Sequence, residues 1–94
     1  MENLPGNWKL VESYDGTFIF EDELQEFCVS ADFTENIDPP YEIWYNQLKG
    51  TFTRIGFENG GYSTHAFNEA QAIERSIEMM NFINNTKGEM IYDP

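Results

Sequence analysis

Ninety-four residues, 40% of them hydrophobic and 16% aromatic, suffice for one modest core, so the chain is read as a single acidic α+β domain over residues 1–94. Seventeen carboxylates against five Lys and Arg give a formal net charge of −12; direct nucleic-acid binding is excluded because phosphate contacts need clustered cations, and Lys9, Lys49, Arg54, Arg75 and Lys87 are scattered. The single cysteine, Cys28, excludes an internal disulfide framework and a Cys-rich zinc site, and no run approaches the roughly 18 apolar residues of a membrane helix.

Trp8 to Tyr14 alternates in part, with Trp8 and Leu10 on the opposite side of a pleat from Lys9 and Val11. Asp15-Gly16 follows and leads into Thr17-Phe18-Ile19-Phe20. Both residues of an Asp-Gly pair accept positive φ, so a first hairpin is predicted here. Residues 21–31 carry two signals. Leu24, Phe27, Cys28 and Ala31 recur at helical spacing, with Glu21, Asp22 and Glu23 at the end that favours anions, which predicts a short helix near residues 22–29. The competing reading is a strand through Glu26-Phe27-Cys28-Val29-Ser30.

Asp32 to Pro40 reads as a loop, because Pro39-Pro40 blocks helix and stiffens the approach to the next strand, Tyr41-Glu42-Ile43-Trp44-Tyr45. Thr51–Phe57 and Tyr62–Phe67 flank Glu58-Asn59-Gly60-Gly61 and predict a second hairpin. Asn68 is a capping residue for a helix from Glu69 to about Asn84, with Ala70, Ile73, Ile77 and Met80 on one face and Met79 and Phe82 on another. The tail Glu89–Pro94 is a short edge strand or a fray. The sum is an α+β fold, an antiparallel sheet of four to five strands with the C-terminal helix packed on one face.

Chemistry-bearing residues are few. His65, the only histidine, falls in a strand with no nucleophile at a readable spacing, and Cys28 reads as a small core residue. Glu21, Asp22, Glu23 and Glu26 lack the Gly and terminal Glu spacing of a calcium loop, so no metal, cofactor or catalytic residue is expected and the chain is not read as an enzyme. The run Gly6-Asn7-Trp8-Lys9-Leu10-Val11 resembles the Gly-x-Trp opening of lipocalins and fatty-acid-binding proteins. Those families close eight or ten strands around a ligand, more than this length supplies, so only a core role for Trp8 at the meeting of strand and helix is carried forward.

The outlier is the span from Leu10 to Leu48, which holds ten carboxylates and no Lys, Arg or His. Disordered acidic tails lack aromatics, whereas this span also carries eight rings, Trp44 among them, and so can fold while keeping its charge. A partner-binding surface is expected from Glu21, Asp22, Glu23, Glu26, Asp32, Glu35, Asp38, Tyr41, Glu42 and Trp44, carboxylates ringing aromatic anchors. In size, charge and composition the chain resembles the acidic anti-restriction and anti-CRISPR proteins and other DNA mimics of bacteriophages. That resemblance implies an inhibitor that occupies a basic nucleic-acid-binding groove on a partner protein, acting in the cytoplasm (the host's, for a phage-encoded chain). The opening Met1-Glu2-Asn3-Leu4-Pro5, without the features of an export signal, leads to the same expected location. The other reading is an adaptor or regulatory subunit that homodimerises or docks through an apolar helix face at Met79 and Phe82, with the charge serving solubility only.

Overall fold

The computed structural model describes residues 4–48, 51–54, 63–87 and 90–93. In chain order the elements are β1 (Trp8–Tyr14), β2 (Thr17–Asp22), β3 (Phe27–Phe33), β4 (Tyr41–Gln47), β5 (Thr51–Arg54), β6 (Ser63–Ala66), α1 (Glu69–Lys87) and β7 (Met90–Asp93). Strands β1-β2-β3-β4-β6 form an antiparallel sheet in that order, and α1 packs on one side of it. The expected α+β architecture is therefore present, with five strands in the main sheet.

The first hairpin forms where Asp15-Gly16 predicted it. Asp15 has φ 48° and Gly16 φ 83°, the pair of positive values that lets a two-residue turn follow the twist of its strands. A Cβ on Gly16 would lie 3.1 Å from the Phe33 ring. Gly16→Ala is therefore expected to lower stability by about 1–2 kcal/mol, from left-handed strain plus that close approach, read as a lower urea midpoint at unchanged slope. Register slips between Leu10 and Glu12, a bulge that twists β1. Because β1 is an outer strand of the sheet, this irregularity also discourages pairing with a foreign edge.

The short helix expected near residues 22–29 is not there. Those residues are the end of β2, a tight turn and the start of β3. Gln25 takes φ 55°, and the Asp22 side chain turns inward: its Oδ1 accepts from the backbone N–H of Glu26 at 2.8 Å and of Phe27 at 3.1 Å. Leu24, assigned to an apolar helical face, is exposed in the turn. The helical spacing was accidental because β3 is an inner strand. All of Phe27 to Ala31 is buried, and a run buried on both faces has no period of two to recognise.

The second predicted hairpin is also corrected. β6 lies along β4, pairing Glu42 with His65 and Trp44 with Ser63, while β5 pairs with β7 in a separate two-stranded sheet. The tail strand thus exists at Met90–Asp93, and the expected loop at 58–61 lies outside the described residues. Adding β6 to β4 satisfies the outer edge of β4 and places Ala66 in the core.

The cap of α1 is as expected, with the Asn68 Oδ1 accepting from the Gln71 N–H at 2.9 Å. Its buried stripe matches the expected one only at Met80. Ala72, Ser76, Met79, Met80 and Ile83 face the sheet, whereas Ala70 is exposed and Ile73 and Ile77 are half-buried. Ser76 conceals this stripe in the sequence: it reads as polar, yet its hydroxyl donates to the Ala72 carbonyl at 2.7 Å and so becomes compatible with full burial. On the sheet, Phe20, Phe27, Val29, Ala31, Ile43 and Tyr45 complete the core. Trp8 does sit where strand meets helix. Its indole N–H and the Asn7 amide both donate to the Asn84 Oδ1, and the Asn84 amide donates back to the Asn7 Oδ1 at 3.0 Å.

Candidate functional site

Alternation along antiparallel strands decides which side each polar residue takes. Phe20, Val29, Ala31, Ile43 and Tyr45 face α1, so their neighbours in sequence face the other way. Register then assembles three rows on the side opposite the helix. One row runs Lys9–Glu21–Cys28–Asn46, the next Glu12–Ile19–Ser30–Trp44, and the third Asp32–Glu42–His65. Four adjacent strands each place one carboxylate there: Glu12, Glu21, Asp32 and Glu42.

At the centre, Asp32 is held by two donors. The Ser30 hydroxyl and the Trp44 indole N–H each donate to it at 2.5 Å, one to each carboxylate oxygen. These charge-assisted bonds fix the anion and the ring as one unit. Asp32 stands directly across from Glu42, a like-charged cross-strand pair that costs roughly 0.2–1 kcal/mol. Glu42 lies 3.9 Å from His65 on its other side, and both side chains are about half exposed, at 54% and 53%. Coulomb repulsion of this kind is what an incoming cation relieves.

The strands distribute the ten acids unequally. Glu23 and Glu26 sit in the β2–β3 turn, while Asp15, Glu35 and Asp38 occupy the turn and loop at the opposite end of the sheet. The presumed cluster of Glu21, Asp22, Glu23 and Glu26 is thereby split: Glu21 is on the sheet face and Asp22 is buried at 2% exposure, fully engaged in holding its turn. Asp22 offers nothing to a partner. Tyr41 is likewise core, 7% exposed, with its ring tilted against Phe33 at 5.1 Å. Tyr45 is also core, and burial pushes both phenols above their ordinary range. Trp44 alone of these three strand residues stands on the carboxylate face, half-buried. Met79, read as a dimer contact, is in the core at 1% exposure, and the half-buried Phe82 packs against Tyr45.

Glu12 and His65 are among the members of this face missing from the sequence-derived set. Glu12 could have been found by pairing it through the first hairpin to Ile19. His65 could not, since its register depends on β6 joining β4. Cys28 is buried within the face. Burial pushes its thiol up, offset in part by a hydrogen bond from the Asn46 backbone and reinforced by Glu21 and Asp32. A thiol held protonated is a poor nucleophile.

The loop joining β3 and β4 borders the third row. The Thr34 N–H donates to the Pro40 carbonyl at 2.8 Å, closing the loop, and the Asp38–Pro39 peptide is cis. Between this loop and β6 lies a cavity of about 210 Å³ lined by Thr34, Ile37, Pro39, Pro40, Glu42 and His65. Among the described residues, no helix is long and apolar enough to cross a membrane. Comparison of the chain with protein-family models, with curated proteins and with solved structures gives no match.

Proposed function

We propose that this chain is a small protein-binding inhibitor that presents the sheet face opposite α1 to a basic, nucleic-acid-binding groove on a partner protein, as a DNA mimic does in a cell's cytoplasm. One observation carries the reading: Glu12, Glu21, Asp32 and Glu42 come from four adjacent strands and share that face, with Asp32 and Glu42 directly opposed. Neighbouring strands lie about 4.8 Å apart, so the face carries charge more sparsely than duplex DNA, with its one charge per roughly 1.7 Å of axis. Charge alone would therefore lose to DNA. The Trp44 ring amid the carboxylates supports a second term, since guanidinium groups pair with carboxylates while stacking on aromatic planes.

The test is a matched pair of charge reversals. Glu12, Glu21 and Glu42 changed together to Lys should weaken partner capture at least tenfold. The same change at Glu69, Glu74 and Glu78, exposed on α1, should leave it within twofold although net charge shifts equally. Proteins captured from a host lysate at low salt should be released by duplex DNA as well as by high salt. Equal losses in the two triple variants, or capture that DNA does not displace, would refute the proposal.

A further inference from the structure

The structure assigns the cavity between the β3–β4 loop and β6 as a receptor for a single arginine side chain of the partner, a refinement that rests on the function proposed above. Its volume of about 210 Å³ admits the end of a long side chain. The lining matches the two chemical parts of arginine. Ile37, Pro39 and Pro40 give apolar walls for the methylenes and a flat surface for the guanidinium plane, while Glu42 supplies the carboxylate that a planar fork engages through two parallel N–H donors.

Charge complementarity selects the occupant. Glu42 stands across from Asp32 in register, and its cationic neighbour among the described residues is His65, at 3.9 Å. With both side chains half exposed, Glu42 keeps room for a stronger, permanently charged donor. A guanidinium entering beside His65 would offset one of the two charges of the Asp32–Glu42 pair and could stack on the imidazole. Lysine lacks both the fork and the plane, so the cavity discriminates between the two cations. The loop is closed by the Thr34–Pro40 hydrogen bond, so the walls are in place before binding and little ordering entropy is lost.

NMR titration of the whole chain with N-acetyl-arginine amide, and with the blocked lysine and citrulline counterparts, reads this directly. Arginine should shift the signals of Thr34, Ile37 and His65 and saturate at least fivefold below lysine, and the uncharged citrulline should leave them in place. Glu42→Gln should weaken the arginine response tenfold or more, and Ile37→Ala should weaken it severalfold. Equal responses to arginine and lysine, an arginine response unchanged in Glu42→Gln, or tighter binding of free L-arginine than of the blocked residue would overturn the assignment. In the capture assay, Glu42→Gln alone should reduce binding. Capture lost in the Glu12, Glu21, Glu42 triple reversal but intact in Glu42→Gln overturns the arginine receptor and leaves the acidic surface standing. Capture intact in both overturns the surface reading itself.

Discussion

Phe20→Ala is expected to remove about 3–5 kcal/mol of stability, the range for truncating a fully buried phenylalanine. Phe20 is wholly inaccessible, and in register it lies between Leu10 of β1 and Val29 of β3. Its ring therefore packs the part of the core that joins the outer hairpin to the inner strands. A domain of this size has about 5–15 kcal/mol in total, so the variant should sit close to unfolding at room temperature. Urea denaturation followed by tryptophan fluorescence measures this, with Trp8 and Trp44 as reporters. A midpoint shift worth less than 1 kcal/mol would mean that the ring is not part of the core. Exposed Phe67 provides the control, and its alanine variant should change stability by under about 0.5 kcal/mol.

The second large effect concerns a carboxylate, not a ring. Asp22→Ala should cost about 2–4 kcal/mol, because it removes at once the carboxylate acceptor of two backbone N–H groups, those of Glu26 and Phe27. Asp22→Asn keeps an acceptor oxygen and should lose about half as much. The amides of Glu26 and Phe27 should also exchange with solvent faster in the alanine variant while the middle of β3 stays protected. If Ala and Asn were equally harmless, Asp22 would be one more solvated acid. Partner capture should survive Asp22→Asn, since the residue holds a turn and does not stand on the carboxylate face.

Local signals in the sequence were legible, and those that depend on distant segments were not. Asp15-Gly16 marked its hairpin because the signal is local: two adjacent residues that tolerate positive φ decide the turn. Asn68 marked the start of α1 for the same reason. Asp22 was misassigned because a carboxylate followed by an apolar run is compatible both with a helix start and with a side chain that caps a tight β-turn. Only the covering of β3 on both faces separates the two, and that is not a local property. Met79 failed similarly: the stripe containing it is completed by Ser76, whose hydroxyl is satisfied within its own helix.

For the candidate site, the acidic excess between Leu10 and Leu48 was visible as composition, and the place of Trp44 among acids was visible as adjacency. Which acids share a surface was not. Alternation sends Glu21 and Asp22 to opposite sides, and sets Tyr41, Ile43 and Tyr45 against Glu42 and Trp44. Contiguous acids were grouped in the sequence, whereas a strand groups every second one.

By itself the sequence determined an antiparallel sheet with a capped C-terminal helix, the first hairpin, the anchoring of Trp8 and a strongly anionic middle. Periodicity, turn chemistry and charge act over a few residues and can be read from them. Tertiary structure alone decided that β6 rather than β5 lines β4, that residues 22–29 enter an inner strand, and that Glu12, Glu21, Asp32 and Glu42 share one face. Strand neighbours and register are set by burial between segments far apart in the chain, and each single-residue step of register moves a side chain to the other side of the sheet.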